Sequence, residues 1–133
     1  MPKAIKGLAG RIPPVASTDP DAIAQWCGRQ MPRIQPLVSQ LDDLIRSTVL
    51  SLQYAIWRNH AFYGLPKLGW IIEVAPYAVS VNVLFLGGAD FATPPPLGTT
   101  DRTRYIKVTE LDDQRRSELT NWIKLAARTP GWH

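Results

Sequence analysis

The sequence predicts an α+β domain, with an antiparallel sheet of about four to five strands and its N-terminal helices and C-terminal helix packed on one face. Three observations carry this expectation. Apolar residues recur at helical spacing up to about Val49, alternate in twos between Gln53 and Val108, and return to helical spacing near the C-terminus. Turn formers punctuate the alternating part at Gly64–Gly69, Pro76-Tyr77 and Gly87-Gly88. The helical segments flank the strands instead of interleaving with them, which suits an antiparallel sheet.

Taken in order, residues 1–18 hold Lys3, Lys6 and Arg11 without an acid, a Pro13-Pro14 pair and no helical period. They read as a flexible tail in preference to a transit segment, and residues 19–133 as one domain. Thr18 or Asp19 can N-cap a short helix carrying Ile23, Trp26 and Cys27 on one face, stopped by Pro32. A second helix is expected near Leu37 to Val49, with Leu37, Leu41, Leu44 and Ile45 inward and Asp42, Asp43 and Arg46 outward. Gln53 to Tyr63 reads as one strand, followed by a loop from Gly64 to Gly69. Trp70 to Ala75 forms the next strand. In the strand after it, Val79, Val81, Val83 and Phe85 share one face and Asn82 and Leu84 the other. Ala89-Asp90-Phe91 can make one helical turn before the three prolines at 94–96. Arg104, Ile106 and Val108 alternate with Tyr105 and Lys107. The final helix has Asp112 and Asp113 at its start, Lys124 and Arg128 at its end, and a stripe of Leu119, Trp122, Ile123 and Ala126.

Composition narrows the function classes. The chain has 133 residues, 45% hydrophobic and 20% charged, enough for one core without metal or disulfide staples. Cys27 is the single cysteine, so no intrachain disulfide forms and a cytoplasmic, reducing setting is expected. The net charge of +4 is spread along the chain and not gathered into the dense stripe of a nucleic-acid protein. The longest apolar stretch, Trp70 to Leu86, is broken by Glu73, Pro76 and Asn82, so no membrane span is expected.

From Leu37 onward the order of elements and several motifs resemble the YdhG-like family of bacterial domains of unknown function. The motifs are Val81-Asn82-Val83-Leu84-Phe85, Gly88-Ala89-Asp90 and Arg104-Tyr105-Ile106-Lys107-Val108, with Tyr54-Ala55-Ile56 and Tyr63 where members have a related pattern. The chain departs from the family at Trp57-Arg58-Asn59, at His60-Ala61 and in its triple-proline connection. The resemblance implies a frataxin-like layout. For part of the family it also implies an iron-chaperone role, which here would fall to Asp42 and Asp43.

No catalytic constellation is visible. His60 and His133 have no nucleophile motif around them, one Cys with two distant His does not make a zinc set, and Gly87-Gly88 lacks a phosphate-loop lysine. The expectation is therefore a non-enzyme without a resident cofactor, acting through the sheet face turned away from the helices. Trp57, Asn82, Arg104, Tyr105 and Lys107 are the candidate ligand-binding residues, with Ile71 and Glu73 on the same face. An exposed apolar face ranks self-association, as a dimer, or another protein partner first and a small ligand second. The iron carrier is the alternative. An anion or nucleic-acid binder using Arg102, Arg104 and Lys107 comes last, because aromatic residues are few and Leu84 and Leu86 are apolar.

Overall fold

The computed structural model describes residues 12–98 and 101–133. Three helices, α1 (Ala22–Gly28), α2 (Gln35–Thr48) and α3 (Asp113–Ala126), flank five strands. These are β1 (Gln53–Trp57), β2 (His60–Leu65), β3 (Gly69–Pro76), β4 (Val81–Phe85) and β5 (Arg104–Val108), and a short 3₁₀ turn at Gly88–Asp90 lies between β4 and β5. The strands pair in sequence order, each antiparallel to the next. The α+β class, the antiparallel sheet and the flanking helices match the sequence expectation.

The helices cover one face because their apolar stripes have nowhere else to be buried. Leu37, Val38, Leu41, Leu44 and Ile45 of α2 and Leu119, Ile123 and Ala126 of α3 share one core with Ile72, Val74, Val81, Val83, Phe85, Ile106 and Val108. Pro36 occupies the first turn of α2, where its missing N–H costs nothing. The Asp112 side chain caps α3 by accepting from the Arg115 amide at 2.8 Å. Helix α1 is held to the first hairpin. Trp26 Nε1 donates to the Asn59 carbonyl at 2.8 Å, and the Gln30 and Asn59 amides exchange hydrogen bonds.

Four sequence expectations need correction. Gln53 to Tyr63 is a hairpin and not a single strand. Arg58 (φ 53°) and Asn59 (φ 64°) form a two-residue left-handed turn between paired Trp57 and His60. Such a turn matches the twist of the flanking strands. Ile71 lies inside. The register passes from Tyr63↔Ile72 to Gly64↔Trp70, so Ile71 is an extra residue in β3 and its side chain joins the main core. Val79 is exposed because it precedes β4 in the turn, where Tyr77 N–H donates to the Ser80 carbonyl. The stretch expected to be a flexible tail through residue 18 is anchored over its last part. The Trp70 indole donates to the Pro14 carbonyl at 2.9 Å and the Ser17 amide to Tyr54 O at 2.7 Å. The earlier part of that stretch, residues 1–11, lies outside the described residues.

Candidate functional site

The antiparallel register fixes what the outer face of the sheet displays. One cross-strand row runs Ala55, Phe62, Glu73, Leu84, Tyr105, and Ala75, Asn82 and Lys107 align in the next. This face has two halves with different fates.

The half over β1, β2 and the start of β3 is closed by both ends of the described chain. Phe62, Trp70 and Trp132 are buried and Trp57 packs beside them, with ring centroids 5.9–6.2 Å apart in tilted or edge-on arrangements. Ala16 covers them from the N-terminal side. On the C-terminal side, Trp132 and Trp70 exchange backbone hydrogen bonds of 2.7 and 2.9 Å beside the start of β3. Gly69 permits this approach. Its φ is +76°, and a β-carbon there would strike the Trp132 carbonyl. The segment is also tied at Pro130, whose carbonyl accepts from Arg102 Nη2 at 2.6 Å while Asp90 pairs with the same guanidinium. Trp57 therefore belongs to an internal aromatic cluster, where the Arg58 guanidinium lies 4.6 Å from its ring centre.

Among the described residues, the half over β4 and β5 stays open. Tyr77, Ser80, Asn82, Leu97, Tyr105 and Lys107 line a cleft of about 370 Å³ there. Leu97 is fixed over the sheet edge by exchanging backbone hydrogen bonds of 3.0 and 3.1 Å with Tyr105. The three prolines before it have no N–H with which to extend that pairing. Lys107 is exposed and is the one charged residue among the described residues that line the cleft.

The expected site thus divides. Asn82, Tyr105 and Lys107 come together, whereas Trp57 and Arg104 do not join them. Arg104 pairs with Phe85 on the inner side, and its guanidinium donates to the Asp101 and Thr103 carbonyls at 2.5 and 2.9 Å. Arg102, a candidate anion ligand, is buried against Asp90 and Pro130. Tyr77, Ser80 and Leu97 were not anticipated. The turn length between β3 and β4 could have suggested the first two. Leu97 reaches the cleft through a long connection whose path no local pattern encodes.

The remaining reactive groups sit elsewhere. His60 Nδ1 meets Glu73 Oε2 at 2.5 Å on the outer face. Burial, with Asp42 nearby, raises the Cys27 thiol from 9.0 to about 11, so it stays protonated at neutral pH and is a poor nucleophile. The Asp42 carboxylate accepts from the Tyr63 hydroxyl at 2.7 Å and from Arg46 Nε at 2.9 Å. Burial and that carboxylate push the Tyr63 phenol well above its ordinary value. Asp42 and Asp43 line a cleft of about 620 Å³ shared with Arg46 and Arg116. Among the described residues no group of three His, Cys, Asp or Glu side chains is placed to hold a metal ion, and no helix is long and apolar enough to cross a membrane.

No family model, curated protein or solved structure matches this chain.

Proposed function

We propose that this domain is a small-ligand binding module whose ligand sits in the outer-face cleft. The observation that carries the reading is that Tyr77, Asn82 and Tyr105 line one open hollow together with Lys107, the one cation among its described lining residues. A few polar groups set in a partly apolar concavity fix a ligand's orientation, and about 370 Å³ suits a small molecule. The charge favours a ligand with a carboxylate or phosphate and a flat apolar part that lies on Tyr105 and Leu97.

Self-association loses much of its motive. The apolar half of the face is covered by the segments that carry Ala16 and Trp132, and Leu97 and Ser17 each occupy part of a sheet edge. A dimer stays the second reading because Tyr77, Val79 and Leu97, at 54%, 55% and 40% exposure, surround the cleft. The iron-carrier reading has less support, since Asp42 is engaged by Tyr63 and Arg46. In the anion-binder reading, Arg102 and Arg104 are engaged by protein groups, which leaves Lys107. A non-enzyme without a resident cofactor, a YdhG-like origin and a cytoplasmic setting complete the proposal. They rest on the sequence motifs and on a single cysteine whose thiol stays protonated.

Ligand-observed NMR with aromatic carboxylates and matched aromatic amines tests the cleft. Carboxylates should bind and compete with one another, and Lys107→Glu should abolish that binding while leaving the circular dichroism spectrum unchanged. Equal retention of carboxylates by Lys107→Glu would rule the cleft out. Light scattering on a size-exclusion column tests the second reading. A dimer that Val79→Asp dissociates would replace the ligand proposal.

A further inference from the structure

At the other end of β3 the chain makes a turn that is unusual for a solvent-facing position. Leu65-Pro66-Lys67-Leu68 is closed by a hydrogen bond from the Leu68 amide to the Leu65 carbonyl at 3.0 Å, with proline in the position that its fixed φ favours. Hairpin tips are ordinarily polar, yet this one carries two leucines and a proline. Leu65 and Leu68 rest on the main core but keep part of their surface in solvent. Together with Pro66, and with Ala127 just past the end of α3, they wall a basin of about 450 Å³.

Its polar members are cations. Lys67 and Arg128 are exposed, form none of the ion pairs seen among the described residues, and donate no side-chain hydrogen bond to a described residue. No Asp or Glu occurs between Ala61 and Ile72 or between Leu119 and His133, so the side chains of the segments forming the basin supply no counter-charge. Arg128 suits the negative end of α3, which accounts for one cation. It does not account for Lys67 in the facing turn. The last carbonyls of α3 are already satisfied, because Leu125 O accepts from the Arg128 amide at 3.1 Å and from Thr129 Oγ1 at 2.8 Å.

We infer that this basin binds a single-chain amphiphile with an anionic head group, its tail on Leu65, Leu68 and Ala127 and its head on Lys67 and Arg128. Apolar surface supplies the affinity in proportion to the methylenes covered, and the two cations select the head group. The site lies roughly 20 Å along β3 from the outer-face cleft, so the two proposals stand or fall separately.

The full chain is titrated calorimetrically with octanoate, decanoate and dodecanoate, each below its micelle concentration. Affinity should rise about tenfold for each pair of methylenes. Dodecyltrimethylammonium, with the same tail and a cationic head, should bind at least tenfold more weakly. Methyl-detected NMR should place the shifts at Leu65 and Leu68 and not at Leu97. Lys67→Glu combined with Arg128→Glu should weaken dodecanoate about tenfold. Ala127→Leu, which narrows the basin and keeps both cations, should weaken binding. No saturable binding, equal affinity for the cationic amphiphile, shifts centred on the outer face, or full binding by Ala127→Leu would each overturn the inference.

Discussion

The two faces of the sheet are buried by different means. The inner face is covered by helices α2 and α3, whose stripes meet an aliphatic surface from β3, β4 and β5. Half of the outer face is covered by the segments carrying Ala16 and Trp132 and by four aromatic side chains, and among the described residues the other half stays open. The inner core is built from many periodic contacts, so the loss of one residue leaves its neighbours in place. The outer cluster rests on a few large rings and on the ties at Pro14, Pro130 and Trp132.

Truncation on each face breaks or sharpens that comparison. Phe85 is fully buried against Phe91 and Trp122, with ring centroids 5.8 and 6.1 Å away. Phe85→Ala should cost about 3–5 kcal/mol in urea unfolding, with the fold otherwise intact. Trp132→Ala should cost less, about 2–3 kcal/mol, because the segment that carries it lies outside the helices and strands and can move into the space. Its distinctive effect should be new surface. Trp57, Phe62 and Trp70 become accessible, dye binding rises and light scattering detects association. If Trp132→Ala destabilises as much as Phe85→Ala and exposes nothing, the outer cluster is an extension of the main core and the contrast between the faces fails.

A smaller effect is expected at the first hairpin, which both faces share. Asn59 combines positive φ with side-chain hydrogen bonds to Gln30, just past the end of α1, so Asn59→Ala should cost about 1–2 kcal/mol. Asn59→Gly keeps the backbone freedom and loses the amide, so it should recover part of the loss. Equal costs for the two variants would mean that the clamp to α1, and not the turn, carries the effect.

The sequence disclosed the inner face far better than the outer one, for physical reasons. Leu37, Leu41, Leu44 and Ile45 repeat at the helical period, and Val81, Val83 and Phe85 at the strand period, so each element announces the side it buries. The Asp112 cap is equally local. The Arg58-Asn59 turn has no glycine to signal left-handed φ, which hid a whole hairpin. One inserted residue reversed the parity that assigned Ile71. Trp132 lies 62 positions from Trp70, with which it pairs, and no periodicity reports such a contact. The same division runs through the candidate site. Asn82, Tyr105 and Lys107 follow from alternation along paired strands, whereas Trp57 was drawn away by a cluster formed through the chain ends. Arg104 already lay on the inward side of its own alternation.

The core beneath the inner face also carries an alkaline signature. Cys27 and Tyr63 both have raised values in the fold, from burial first and from Asp42 second. For an acid of this kind the folded state favours the protonated form. Its contribution is complete below the unfolded value and is lost as pH rises through the folded one. Stability should therefore hold up to about pH 9 and fall toward pH 11 and beyond. Cys27→Ala should flatten the first part of that fall, and Tyr63→Phe the later part. A profile unchanged in both variants would place the alkaline transition elsewhere.

The smallest change in stability should come from the residue on which the proposed ligand depends. Lys107 is exposed on the edge strand opposite Asn82 and forms none of the ion pairs among the described residues. Lys107→Glu should shift stability by no more than about 0.5 kcal/mol. Structural roles and binding roles separate at such a position, because an exposed side chain outside the ion pairs of the described residues gives folding little to lose. Lys107→Gln then divides charge from shape. If charge selects the ligand, carboxylate binding falls in both variants and further with glutamate. If the aliphatic stem of the lysine lying along Tyr105 is what matters, glutamine retains most of the binding, and the uncovered half of the sheet recognises an apolar group instead of an anion.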